Sequence, residues 1–115
     1  MAKYVLKIRK VDSKFLDLIR SGQKTIETRA AIKKYQKIKV SDVLRFVCGK
    51  KSIEKKVLEI QHFKTINVLL KNLDLKKIMP HVSSPDQAKK IWFSFPNCKE
   101  KIQKYGLLAF KLGDK

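Results

Sequence analysis

Phe15-Leu16-Asp17-Leu18-Ile19-Arg20-Ser21-Gly22-Gln23-Lys24-Thr25-Ile26-Glu27-Thr28-Arg29 changes its period halfway along. Phe15, Leu16 and Ile19 form the apolar stripe of a short helix, which Asp12 is positioned to cap. Gly22 stands where a left-handed residue ends such a helix. From Lys24 onward the pattern is that of a strand. Pleating sends Thr25, Glu27 and Arg29 to one face and Ile26 to the other, toward a core. Glu27 and Arg29 are then about 7 Å apart along the strand. Lys24, at the strand entry, can swing to their side. An acid between two bases, next to a helix end, can hold a phosphate or a polar base edge through its cations. Glu27 then orients those cations, accepts a hydrogen bond or acts as a general base. The plainer account is a surface salt bridge on a solvated strand.

The rest of the chain supplies the scaffold. Tyr4 to Arg9 alternates, with Tyr4, Leu6 and Ile8 on one face, and reads as an opening strand. Lys33 to Lys39 is polar and basic, and reads as a loop. Val43 to Cys48 and Ile53 to Phe63, joined by a turn at Gly49 to Ser52, are expected to pair as an antiparallel hairpin. Thr65 is placed to cap a helix in which Ile66, Leu69, Leu70 and Leu73 share a face. Pro80 interrupts the pattern, and Ser84-Pro85-Asp86-Gln87 restarts a helix with a capping box. Ala88, Ile91, Trp92 and Phe95 form its stripe, which favours core packing over stacking on a base. Asn97 to Lys104 has room for one more helical turn, and Tyr105 to Leu112 closes the chain as a strand. The order β-α-β-β-β-α-α-β predicts an α+β fold, a small mixed or antiparallel barrel with flanking helices. No repeat or linker divides it, so one domain is expected over residues 1–115.

Composition narrows the functional classes. The chain of 115 residues carries 28 Lys+Arg against 10 Asp+Glu, a net charge of +18, and 43% hydrophobic residues. The apolar fraction is that of a globular domain, not a disordered basic tail. No apolar run approaches the ~20 residues that span a bilayer, and the alternating start has no signal-peptide core. A soluble, cytoplasmic protein without membrane association is expected. Cys48 and Cys98 are far apart, and His62 and His81 lack zinc-site spacing, so neither a metal nor another cofactor is expected. His81, after Pro80, suits acid–base chemistry only if its loop borders a cleft; otherwise it is a solvated loop residue. An excess of positive charge attracts polyanions, nucleic acids first. Arg9, Arg20, Arg29 and Arg45 are the only arginines, so most contacts would be lysines acting as point charges on phosphates. Lys33, Lys34 and Lys37, which follow the motif strand, are the expected backbone contacts.

Gly22-x-Lys24-x-x-Glu27-x-Arg29 after a short helix resembles the signature of the ASCH domain, named for homology to the activating signal cointegrator and part of the PUA-like superfamily. Further resemblance lies in Leu6 to Arg9, Phe15 to Arg20, Val40 to Phe46, Lys56 to Ile60 and Tyr105 to Phe110. Ser41 replaces the glycine usual at its position. The resemblance implies a small PUA-like β-barrel with flanking helices and a cleft beside the motif strand that binds RNA. It also implies kinship in fold with amidohydrolases acting on N4-acetylcytidine, which use a motif Lys, a Thr in the same strand and a later Glu. By motif position that Lys is Lys24, Glu27 occupies the Thr position, and His81 or a neighbour lies nearest the late Glu. Ribonuclease activity has also been attributed to the family.

Two functional expectations follow. The first is a nucleic-acid-binding module, for RNA before DNA, with Lys24, Thr25, Glu27 and Arg29 in the cleft and Lys33, Lys34 and Lys37 on the backbone. The second is a small hydrolase of RNA or modified nucleosides, in which Lys24 and Glu27 are catalytic.

Overall fold

The computed structural model describes residues 1–115. Its sheet follows from period-two segments. Strands β1 (Lys3–Lys7), β2 (Ile26–Ala30), β3 (Val43–Cys48), β4 (Lys51–Phe63) and β5 (Leu107–Gly113) lie in the order β1-β3-β4-β5-β2. β1 runs parallel to β3, and the other neighbours are antiparallel. The β3–β4 hairpin is the one expected from the sequence. A register shift between Val57 and Glu59 bends the long β4, as an extra residue does. The sheet curls into a half-barrel whose free edges are β1 and β2.

Alternation in β5 feeds two cores. Leu108, Phe110 and Leu112 join Leu6, Leu44, Phe46 and Val57 on one face, closed by Leu16 and Ile19 of α1 (Ser13–Ser21). Leu107 and Ala109 face the other way, with Ile26 and Phe63. This second core is covered by α3 (Ile66–Asn72), α4 (Leu75–Ile78), α5 (Pro85–Ser94) and α6 (Cys98–Tyr105), through Leu69, Ile78, Trp92 and Ile102.

Local signals hold in most places. Thr65 Oγ1 accepts from the Val68 N–H at 3.1 Å, and Ser84 Oγ from that of Gln87 at 3.3 Å. Gly22 ends α1 at φ +83°. Four expectations need correction. Asp12 does not cap α1, because its carboxylate takes the Nε–H of Arg9 at 2.7 Å. Lys33–Gln36 is a short helix, α2, where a loop was expected, since Tyr35 packs against the first core and winds the segment. The segment after Asn97 forms two turns of helix that include Tyr105, so β5 begins only after Gly106. The short α4 was not anticipated; Asp74 caps it by accepting from the Lys76 N–H at 2.9 Å.

Before β3 the chain turns at Ser41, φ +78°, a left-handed conformation unusual for a residue with a Cβ. Asp42 holds this corner by accepting from the N–H groups of Ala2 at 2.9 Å and Lys39 at 2.8 Å. No helix is long and apolar enough to cross a membrane.

Candidate functional site: a charged cleft between the two edge strands

Strand β2 is an edge, so one row of its backbone groups has no neighbouring strand to bond. Side chains of the Lys24–Arg29 segment take that place. Lys24 Nζ donates to the carbonyls of Ile26 and Ile78, each at 2.7 Å, and lies 3.3 Å from Glu27 Oε1. Glu27 Oε1 also accepts from the Thr28 N–H at 3.1 Å. Glu27 Oε2 accepts from Arg29 Nε at 3.2 Å and Nη2 at 3.0 Å. Arg29 then spans the seam, with Nη2 3.4 Å from the Lys7 carbonyl of the opposite edge strand and Nη1 3.4 Å from the Tyr35 hydroxyl. The plainer account, a salt bridge on a solvated strand, does not hold for this triad, because Lys24 is only 3% and Glu27 8% exposed.

A cleft of about 360 Å³ opens over this triad. Its walls come from the end of β1 (Lys7, Ile8, Arg9), from β2, from Phe15 of α1, from Tyr35 of α2, and from Trp92, Phe95, Pro96, Cys98 and Lys101 around α5 and α6. Trp92 is 2% exposed, and its Nε1–H donates to Thr28 Oγ1 at 2.9 Å. Phe15, Tyr35 and Phe95 keep partly exposed faces. Arg9 crosses from β1 to the end of α5, donating to the Ser94 carbonyl at 3.1 Å and to Ser94 Oγ at 3.2 Å. Its guanidinium also lies 4.6 Å from the centre of the Phe95 ring.

The cleft is strongly electropositive. Lys7, Arg9, Lys24, Arg29 and Lys101 line it against the two carboxylates of Asp12 and Glu27. Burial pushes the Lys24 ammonium below its ordinary pKa, against the pull of Glu27, and repulsion from Arg29 adds to the shift. Burial acts to raise the Glu27 carboxyl, but the charges of Lys24 and Arg29 and their hydrogen bonds outweigh it and hold the group below its usual range. For Arg29, burial is likewise outweighed by Glu27 and Tyr35, and the guanidinium is raised.

The structure brings Lys24, Glu27 and Arg29 together, as the alternation predicted for the last two. It separates Thr25 from them. That residue precedes β2 and lines a different depression with Glu59, Asn72 and Lys77, because its N–H is drawn to the Lys77 carbonyl at 2.9 Å. Lys33, Lys34 and Lys37 do not line the cleft; they flank in sequence Tyr35, which does, and Lys34 Nζ lies 5.7 Å from the centre of its ring. His81 lies outside it too, edge-on to Phe15 with ring centres 5.2 Å apart. Sequence reasoning missed Thr28, Arg9 and Tyr35. Thr28 shares the Ile26 face of β2, and only the indole of Trp92, 64 residues away, makes it part of the site. No group of three or more His, Cys, Asp and Glu side chains is placed to hold a metal ion.

No family model matches the chain, and a search of curated proteins gives no match. Two solved structures are similar over nearly the full length. The crystal structure of hypothetical protein PH0355 is 26% identical, with 96% of each chain covered and a TM-score of 0.83. The solution structure of protein PF0455 from Pyrococcus furiosus is 27% identical, covering 96% of this chain and 94% of that one, with a TM-score of 0.75. Both likenesses support the half-barrel fold described here.

Proposed function

We propose that this protein is an RNA-binding module of the ASCH type, with a PUA-like barrel whose seam cleft holds one nucleotide of a single strand. The observation that carries the reading is the cleft itself: cations outnumber acids around a hollow walled by aromatic rings. Rings offer stacking surfaces to unpaired bases, and cations meet the backbone. Lys24, Glu27 and Arg29 of the ASCH-like pattern line the cleft. Lys33, Lys34 and Lys37 flank Tyr35 in sequence, and on this reading they add contacts to the backbone. On this reading the protein works in the cytoplasm and prefers RNA to DNA.

The hydrolase reading is less well supported. It needs a free amine on Lys24 and a free lone pair on Glu27, whereas both groups are engaged with the protein. Binding without turnover is the expected outcome with labelled RNA or acetylated cytidine.

Fluorescence anisotropy with a short single-stranded RNA tests the proposal. Contact with five phosphates predicts affinity about 100-fold weaker at 200 mM than at 50 mM salt, from a slope of about −0.7 per phosphate for single strands. Absence of binding at ~50 mM salt, where such contacts are strongest, overturns it.

A further inference from the structure

We infer that the cleft takes the phosphate monoester of a nucleotide, phosphate first, against Arg29 and Thr28, rather than an internal nucleotide turned in by its base. The inference rests on the nucleotide-binding reading above and adds to it the orientation and class of the ligand.

An ammonium has three donors, and those of Lys24 serve two carbonyls and Glu27. The two oxygens of Glu27 already accept from Thr28, Lys24 and Arg29. Around them the carbonyl of Lys7 faces Arg29, and that of Ala30 accepts from the Ile32 N–H. The triad itself therefore has no acceptor to spare, and the free acceptors of the cleft include the Thr28 carbonyl on the open edge of β2 and the second oxygen of Asp12. The cleft also keeps donors: Arg29 has one Nη1 proton beyond those directed at Glu27, Lys7 and Tyr35, and the Thr28 hydroxyl, which accepts from Trp92, still has its own proton to give.

The spare protons of Arg29 and Thr28, at a site of net positive charge, complement a group that only accepts and is negatively charged. A phosphate monoester is such a group. A neutral base edge takes up less of that positive charge. Charge agrees with this, since Lys24 and Arg29 share the single carboxylate of Glu27. The borders agree as well. The Arg9–Ser94 bonds and the Arg29–Lys7 contact tie opposite walls of the cleft. A chain end or a free mononucleotide needs no passage between these ties.

Trp92 is the only tryptophan and lines the cleft, so its fluorescence reports occupancy there. The probes are uridine, its 5′- and 3′-monophosphates, and one RNA hexamer made with hydroxyl ends, with a 5′-phosphate or with a 3′-phosphate. At ~200 mM salt, where non-specific phosphate contacts are weakened, at least one monophosphate should bind ten or more times tighter than uridine. If the ligand in solution is an RNA end, the hexamer phosphorylated at that end gains by a similar factor. A gain confined to the mononucleotides assigns the site to the free nucleotide. Arg29→Lys keeps the charge but loses the fork, and should bring these ratios to within about twofold. A ratio unchanged in a folded Arg29→Lys protein overturns the inference. So does equal affinity of the wild type for uridine and both monophosphates together with equal binding of all hexamers, a result that leaves the RNA-binding reading standing. Failure of every hexamer overturns the RNA-binding reading instead, and the comparison of uridine with its monophosphates still decides the inference.

Discussion

The indole N–H of Trp92 and the hydroxyl of Thr28 meet at 2.9 Å, joining α5 to the edge strand β2 inside the protein. The bond fixes one wall of the cleft to its floor. Thr28→Val is nearly isosteric and leaves the buried indole donor unpaired. The expected cost is about 1–3 kcal/mol, the penalty for an unmade hydrogen bond to a buried group. Chemical denaturation measures it. A loss under about 0.3 kcal/mol would mean that water or another acceptor replaces the hydroxyl.

Glu27 is the member of the triad whose removal should hurt most. Glu27→Gln leaves Lys24 and Arg29 buried together without a counter-charge, for an expected loss of about 3–5 kcal/mol. Lys24→Met removes one cation and strands the carbonyls of Ile26 and Ile78, but leaves the Arg29–Glu27 pair intact. Its expected cost is lower, about 1–3 kcal/mol. The double variant should cost less than the sum, because the second change removes a charge that the first left unpaired. Urea denaturation of the three variants checks the ranking, and strict additivity would show that the triad is not one electrostatic unit.

The same triad sets a pH dependence. Glu27 has a lowered folded pKa, so its contribution is present above the ordinary carboxyl value of 4.5 and is lost as pH falls below it toward the folded value. Lys24 also has a lowered folded pKa. Below that value burial of its charge destabilises the fold, and the penalty fades as pH rises from there to the ordinary 10.5. In both windows the unfolded chain binds more protons, so stability rises with pH. Glu54 titrates in acid too, held down to about 2 by Lys115 and Lys3. That group is at the surface, and salt screens its share. Denaturation midpoints between pH 2 and 6 at ~0.5 M salt, well above physiological ionic strength, should retain an acid loss that Glu27→Gln flattens. An acid limb identical in the two proteins would place it elsewhere.

Much of this architecture is legible in local patterns. Strands β3, β4 and β5, the caps at Thr65 and Ser84 and the stop at Gly22 are written in short-range chemistry, and they appear as the period and the cap residues require, except that β4 begins at Lys51, two residues early, and β5 only after Gly106. The pairing of Glu27 with Arg29 was legible for the same reason, since a period of two along one strand requires no knowledge of the rest. The burial of the triad was not. It depends on β2 being an edge strand, and the order β1-β3-β4-β5-β2 is a long-range property. Thr25 was misplaced because alternation was extended one residue past the end of β2, to a backbone already drawn toward Lys77. Arg9 and Trp92 join the site through partners 85 and 64 residues away. A basic loop and the short helix α2 look alike in sequence until Tyr35 has a core to pack against.

Ser41 and Gly106 make opposite predictions from the same backbone property. Ser41 has φ +78°, where a Cβ crowds the chain by roughly 1–2 kcal/mol. Ser41→Gly relieves the strain but loosens the unfolded chain, which offsets up to ~1 kcal/mol. The net expectation is a gain of about 0.5–1 kcal/mol, with ligand binding unchanged because Ser41 does not line the cleft. Gly106 has φ +79°, and a Cβ there would run into the Phe63 carbonyl oxygen and come within 2.9 Å of His62 Nε2. The obstruction on one side is backbone paired with β5, which cannot rotate away as a side chain does. Gly106→Ala should therefore cost at least about 2 kcal/mol, the conformational strain being compounded by the clash. Thermal melts of the two variants should move in opposite directions. A destabilised Ser41→Gly protein would mean that the serine hydroxyl holds the corner more strongly than its backbone conformation opposes it.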